Sequence, residues 1–535
     1  MDAAAMFAVT PQFDAALQII AALRAAGHES YLAGGCVRDL LLGREPSDYD
    51  VATSATPDIV LNFFPRTFAV GAHFGVVLVA TCDAADGTCG AADAACAAAT
   101  DSAPQQVDGN LAINFVRANS EQPAPPQVVT EVATFRSDGA YSDGRHPDVV
   151  RYTTSAEEDV RRRDFTINGL LLDPMKGTGF SPYIKGAIKA GAGRDGFQPI
   201  HLSPEVIFSG SDLRAAVIDH VHGLDDLDAG IIRAIGQPGE RFEEDHLRML
   251  RAVRFAARLG FQIDPATAAA MCRLAPKINL VSRERVRDEL TKMLTEGHAR
   301  CAFELLDETG LLAEVLPEIA RMKGVEQPPQ FHPEGDVWTH TLLLLAQLDA
   351  GCPRTLAWGA LLHDVGKPPT FMRADRIRFN GHVNVGVTIA ADICRRFRFS
   401  NDETRQTLSL VENHMRFADA QHMKASTLKR FFRLDNFPQH LALHRMDCLA
   451  GSGNLDHWNY VRARYASMPE EAVRPTPLLT GRELIAAGYK PGAAFKEMLR
   501  AVEDAQLDGA ITTTAEALTY IRDRFPLMTE KRSEL

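Results

Sequence analysis

Apolar positions recur at helical spacing through Phe13–Ala26, after which the period changes. Ser30–Ala33 reads as a short strand, and Gly34-Gly35 leads into a second helical stretch at Val37–Leu42. A strand containing Asp48–Thr53, a helix from about Pro57 and a strand at Gly75–Ala80 follow. Residues 83–127 break the pattern: Ala, Asp, Gly, Pro and Gln dominate up to PAPPQ, the composition of a flexible insertion. The strand pattern returns at Val128–Arg136, then come a loop at Ser137–Asp148, a short strand and a helix beginning near Glu157. A second Gly-rich interruption occupies 175–215. From Asp245 to about Asp435 the pattern is mostly helical, with a boundary at Val325–Pro333, VEQPPQFHP, and it is helical again beyond. No internal repeat is visible. Mixed α/β structure is therefore expected over 1–174, and mostly α-helical structure over 216–325, 326–455 and 456–535.

Length agrees with this division, because 535 residues exceed what one core organises. Nine cysteines without a CxxC pair argue against a disulfide framework or a zinc ribbon. The opening MDAAAMFAVT has no basic start, and the apolar run near Leu342–Ala346 is too short to span a bilayer. A reduced, cytoplasmic protein with no membrane partner is expected. The net charge of −12 means that a polyanionic partner must be met by local basic surfaces. Two are available: Arg161–Arg163, and the series Arg248, Arg251, Arg254 and Arg258.

The first candidate chemistry is Asp48-Tyr49-Asp50. On a strand, residues two apart share a face, so the carboxylates converge while Tyr49 turns away. Paired hard oxygens suit Mg²⁺ in phosphoryl transfer, and Glu131 on VVTEVATF is a candidate third carboxylate. Ahead of them, Gly34 and Gly35 allow a phosphate close to the backbone, and Arg38 one turn later can pair with its oxygens. In the run RRRDFTIN, Arg163 can meet nucleotide phosphates and Asp164 the ribose hydroxyls.

Asp245, Arg248, Arg251, Arg254 and Arg258 step by three or four, which places them on one helical face beside Leu247, Leu250 and Val253. Arginine only donates hydrogen bonds and ionised aspartate only accepts. Cytosine and adenine each show a ring-nitrogen acceptor beside an amine donor, so an Asp245–Arg248 pair fits both. Uracil and guanine present the reverse order and leave buried groups unpaired. One pair of side chains can thus select CTP and ATP without a template.

The series GGCVRD, DYD, RRDFTIN and EEDHLRMLRAVRF resembles that of bacterial class II CCA-adding enzymes and the related poly(A) polymerases, in order over residues 30–325. The resemblance implies an α/β nucleotidyltransferase head with a mixed sheet, then helical neck, body and tail regions, the last two holding tRNA. It also implies that Gly35, Arg38 and Arg163 bind nucleotide, that Asp48 and Asp50 hold Mg²⁺, and that Asp245, Arg248, Arg251 and Arg254 form a helix reading base and phosphate. The stretches 83–127 and 175–215 depart from the family pattern, where short connections are usual. Val70–Val76, reading VGAHFGV, lacks the basic segment of the poly(A) branch and resembles the CCA branch.

His340 in VWTHTLLLL, His363-Asp364 in LAWGALLHDVGKP and Asp447 in LALHRMDCL resemble the HD phosphohydrolase signature, with His382 and His414 as outer members. Such ligands suit Mn²⁺, Ni²⁺, Zn²⁺ or Fe, and a shared metal can activate water against a phosphodiester. LLTGREL and GYKPG resemble the C-terminal part of CCA enzymes carrying this insert.

The sequence therefore predicts a head at 1–174, a neck at 216–325, an HD domain at 326–455 and a tail at 456–535. The expected reaction is addition of CCA to the 3′ end of tRNA from CTP and ATP, releasing pyrophosphate. Poly(A) addition, CC-only or A-only addition, a protein that is chiefly an HD phosphohydrolase, and a non-catalytic RNA-binding protein are the competing readings. Paired metal carboxylates argue against the last, since binding alone does not need them.

Overall fold

The structure is a computed structural model, and it describes residues 6–8, 10–69, 75–82, 127–139, 149–174, 176, 207–330 and 332–527. The proposed insertions fall largely outside these residues, as do Val70–Phe74 of the segment that favours the CCA branch. The chain forms two compact units, Met1–Ala252 with Leu259–Leu274, and Val253–Arg258 with Ala275–Leu535. The division falls inside one helix, Leu247–Leu259.

The first unit is organised on a seven-stranded sheet. Its strands lie in the order Val217–Ile218, Leu171–Leu172, Ser30–Ala33, Val51–Thr53, Gln127–Thr134, Val76–Cys82, Thr67–Phe68. Val51–Thr53 and Gln127–Thr134 run parallel, Val51 beside Val132, and the remaining neighbours are antiparallel. The sheet is therefore mixed, as its spacing of short strands and helices predicts. Cys82 pairs directly across from Gln127 at the edge of the longest hairpin.

Helix Pro11–Ala25 buries Phe13, Leu17, Ile19, Ile20 and Leu23, and Thr10 caps it by accepting from the Phe13 N–H. The strand expected over Asp48–Thr53 begins only at Val51. The alternation expected of it nonetheless holds in the approach, where Tyr49 is buried against Phe13 with ring centroids 5.2 Å apart, Asp48 is exposed and Asp50 is half-buried.

The second unit is mostly helical. Helices Val337–Leu345, Arg354–Leu362, His382–Arg396, Asn401–Asn413 and Phe437–Ala450 enclose a core containing Trp358, Phe397 and Leu410. A separate apolar cluster around Leu484, Val502 and Ile521 organises the last helices. No helix among the described residues is long and apolar enough to cross a membrane.

Candidate functional site

In the first unit, the register that sets Val51 beside Val132 carries Asp50 towards Glu131. Asp50 is pushed up to about 7, by desolvation first and then by the charges of Glu131 and Asp48, with Arg163 opposing. Glu131 is raised as well, by desolvation and by Asp48. The charges of Glu131 and Asp48 thus disfavour ionisation of Asp50, and Asp48 that of Glu131, which a hard divalent cation would relieve. The all-oxygen donor set of these carboxylates fits Mg²⁺.

Arg163 stands over Gly34. A Cβ on Gly34 would lie 3.0 Å from Arg163 Nη1, and its backbone angles, φ 79° and ψ −127°, suit only glycine. Arg163 Nη2 meets Asp159 at 3.0 Å, and Arg162 reaches the same carboxylate at 2.7 Å. Arg161 pairs with Glu157. The run expected to be a basic surface is therefore partly offset, its three arginines sharing the carboxylates of Asp159 and Glu157 one helical turn earlier, a pairing that a count of arginines does not reveal.

Residues of three sequence motifs, GGCVRD, RRDFTIN and EEDHLRMLRAVRF, meet in one largely buried network. Arg38 donates to Asp39 at 2.8 Å and to Asn168 Oδ1 at 2.6 Å. Asn168 Nδ2 donates to Asp164 Oδ1 at 3.0 Å, and Arg251 Nε donates to Asp164 Oδ2 at 2.8 Å. Burial works to raise Asp164, but Arg251 and the Asn168 hydrogen bond hold it at about 2. Arg38 and Asp164 are thus brought together, each with protein partners on its polar atoms.

The arginine helix differs from its expected form. Asp245 lies outside it, in extended conformation between Pro238–Glu244 and Leu247–Leu259, and its carboxylate accepts from the Leu247 N–H at 3.0 Å. Competition from this capping bond ends the face that periodicity assigned to Asp245. The helix is buried nearly all round, and its arginines meet separate acids: Arg248 with Glu244 at 2.7 Å, Arg251 with Asp164, Arg254 with Glu289 at 2.7 Å. Arg248 also donates to the carbonyls of Arg241 and Arg162, both at 3.1 Å.

In the second unit, His340, His363, Asp364 and Asp447 come together with His382 and His414. Groups with ligand atoms within 4.8 Å of one another include His340–His363–Asp447 and Asp364–His382–His414. Three imidazoles are held alike. His363, His382 and His414 turn Nδ1 to the carbonyls of Ala360, Phe379 and Val411, at 2.8, 3.0 and 2.7 Å. Each Nε2 is buried and makes no well-formed hydrogen bond, although His363 Nε2 lies 3.2 Å from Asp364 Oδ2. Such orphaned nitrogens, converging on carboxylates, fit a divalent transition metal.

Burial lowers His382 and takes His414 down to about 4, which keeps both neutral as ligands must be. For His340, burial is outweighed by hydrogen bonds to Asp447 and Glu334, and it is pushed up to about 9. Lys367 Nζ meets Asp364 Oδ2 at 2.6 Å, which with His363 holds Asp364 well down against its burial. Gly366 explains part of the geometry: a Cβ there would lie 2.0 Å from the His382 carbonyl oxygen, so only glycine lets the His363–Lys367 turn press against His382–Arg396. The cleft over the centre, about 1390 Å³, is lined by His332, Lys367, Arg376 and Arg378 among others.

Sequence reading missed Glu334 and His332, whose only signal is their place in the boundary loop. It also missed a second cleft of about 950 Å³ lined by Arg430 and Arg433, which pair with Glu503, and by Asp435, Arg474, Lys496 and Arg500.

Matches with known proteins follow the same order along the chain. Residues 30–86 and 98–189 match the poly(A) polymerase head domain, 260–323 the probable RNA and SrmB-binding site of polymerase A, and 337–449 the HD domain. The class is therefore that of polymerase A-type heads joined in one chain to an HD domain.

The chain is 33% identical over 310 residues to a CCA-adding enzyme of Geobacillus kaustophilus (strain HTA426), a match spanning 58% of this chain and only 56% of that relative's length. It is 32% identical over 361 residues to a CCA-adding enzyme of Latilactobacillus sakei subsp. sakei (strain 23K), spanning 66% and 70%. The chain belongs to the CCA-adding enzyme family. Its fold is similar to that of the Bacillus stearothermophilus CCA-adding enzyme in complex with CTP, with a TM-score of 0.62 at 24% identity over 96% of this chain and 98% of that one.

Proposed function

We propose that the chain adds CCA to the 3′ end of tRNA from CTP and ATP, without a nucleic-acid template, and releases pyrophosphate. The observation that carries this reading is the carboxylate cluster of Asp48, Asp50 and Glu131, with Asp50 at about 7 and Arg163 opposing it. Asp48 and Asp50 would hold Mg²⁺, which when bound would offset the charge of the attacking 3′ oxygen and of the leaving pyrophosphate.

Arg163 orients the nucleotide phosphates over Gly34 and Gly35, while Arg251, fixed on Asp164, braces the wall behind them. Arg248 and Asp245 read the base, exchanging the contacts they make here for the Watson–Crick edge of cytosine or adenine. Arg474, Lys496 and Arg500 offer the tRNA backbone further cations. We place the reaction in the cytoplasm, where tRNA and both nucleotides are found.

The test is extension of a tRNA lacking its CCA, offered CTP and ATP separately and together, with oligo(A) beside it. Growth by CC with CTP and by CCA with both supports the reading. Long tails from ATP alone, on either RNA, would make the protein a poly(A) polymerase.

A second activity is favoured by the three orphaned Nε2 atoms. We propose that the histidine centre holds a divalent transition metal such as Mn²⁺ or Ni²⁺ and hydrolyses phosphoesters. The metal would supply an activated water, and Lys367 and Arg376 would bind the phosphoryl oxygens. Metal-dependent hydrolysis of bis-p-nitrophenyl phosphate, lost in His363→Ala but kept in Asp50→Ala, tests it.

A further inference from the structure

His340 is held differently from the other three imidazoles. Their Nδ1 atoms face main-chain carbonyls three residues back, those of Ala360 and Val411 within helices and that of Phe379 in the turn that enters His382–Arg396. His340 turns Nδ1 to the side chain of Glu334 instead, at 2.7 Å, and Nε2 to Asp447 at 3.0 Å. The same Glu334 oxygen meets His332 Nδ1 at 2.8 Å. The His332 ring stands edge-on to His340, with centroids 4.9 Å apart, and lines the cleft.

The Glu334 side chain is 6% exposed. Its loop is tied at the base, where Asp336 accepts from the Gly324 N–H at 2.6 Å and Val325 accepts from the Val337 N–H at 3.0 Å.

We propose that Glu334 is a positioning residue of the histidine centre. Its carboxylate fixes the His340 ring with Nδ1 as donor and Nε2 facing the Asp447 side, and clamps His332 against the same ring to form the cleft wall. The inference rests on the metal reading given above. A carboxylate is a stronger acceptor than a neutral carbonyl, so it orients the ring and makes Nε2 a better ligand. It also makes His340 the one imidazole of these four whose Nδ1 is aimed by a side chain rather than by a main-chain carbonyl.

The test uses the full chain and its Glu334→Ala and Glu334→Gln variants. Mn²⁺ affinity and stoichiometry are read by calorimetry, with the melting curve of the metal-free protein and CTP and ATP incorporation as controls of folding. Glu334→Ala should weaken Mn²⁺ roughly 10- to 100-fold at unchanged stoichiometry. Glu334→Gln should recover much of that loss, because its amide oxygen still accepts from Nδ1, and both variants should incorporate nucleotides normally. Wild-type affinity in Glu334→Ala would overturn the proposal. Lower stoichiometry in both variants would make Glu334 a ligand and overturn it too. A wild-type protein that binds no Mn²⁺, or binds it equally well as His363→Ala, would remove the metal reading itself and this role with it.

Discussion

Arg251 grips a single oxygen of Asp164 from two nitrogens, Nε at 2.8 Å and Nη2 at 2.7 Å. The pair joins positions 87 residues apart, and Asp164 is 9% exposed. With its carboxyl at about 2 against an ordinary 3.8, Asp164 favours the folded state on the order of 2 kcal/mol at neutral pH. That stabilisation is complete above about pH 4 and is lost as pH falls through 2. Arg251→Met should therefore move the acid unfolding midpoint, followed by far-UV circular dichroism, to higher pH. Superimposable acid curves would show that the pair contributes nothing.

Asp245 accepts from the Leu247 N–H, a bond that an asparagine side-chain oxygen can keep. Asparagine can donate as well as accept, however, and so loses the distinction between a ring-nitrogen neighbour and a carbonyl. Asp245→Asn should retain CTP transfer while raising UTP incorporation relative to CTP by roughly 10- to 100-fold, the worth of one unpaired buried group. An Asp245→Asn enzyme as selective as wild type would remove Asp245 from base reading.

Gly34→Ala forces an L side chain into a backbone that costs about 1–3 kcal/mol and drives its Cβ towards Arg163. The kcat/KM for CTP should fall by about two orders of magnitude, while metal binding at the histidine centre stays unchanged. Full transfer activity in this variant would separate Arg163 and Gly34 from the nucleotide.

Gly366→Ala is expected to act in the opposite half of the chain. Its Cβ would overlap the His382 carbonyl, so helix His382–Arg396 must move and carry His382 away from Asp364. Overpacking of this kind costs about 1–3 kcal/mol or more. The melting temperature and Mn²⁺ affinity should both drop, the latter by at least about tenfold, with CTP incorporation intact. Unaltered Mn²⁺ binding would mean that the turn and the helix can part without disturbing the centre.

Much of this was legible in the residues because it follows from local periodicity. Ser30–Ala33 is a strand at its expected bounds, and Tyr49 turns inward between two outward aspartates even though the strand starts after them. The histidines could be gathered because each carries its own chemistry. Partners drawn from remote sequence could not be read in this way. Nothing in Arg254 announces Glu289, and nothing in Arg251 announces Asp164, so an arginine stripe that is paired and buried looks in the sequence like one that is bare. Asp245 kept the helical spacing but not the helix, since its side chain could satisfy a free N–H at the helix start. Glu334 escaped notice because a glutamate in a boundary loop has no periodicity to betray it.

Cys82 and Gln127 are cross-strand neighbours, so the chain leaves the sheet and rejoins it about 5 Å away. The register of these two strands is set by their own pairing, whatever length of polypeptide lies between. The hairpin is therefore a grafting port: a two-residue turn, an affinity handle or a guest domain with adjacent termini could replace 83–126, because lengthening a closed loop adds little to its entropic cost. Evolution and protein engineering have the same freedom at this position, and both would meet its limit at the first paired residue on either side.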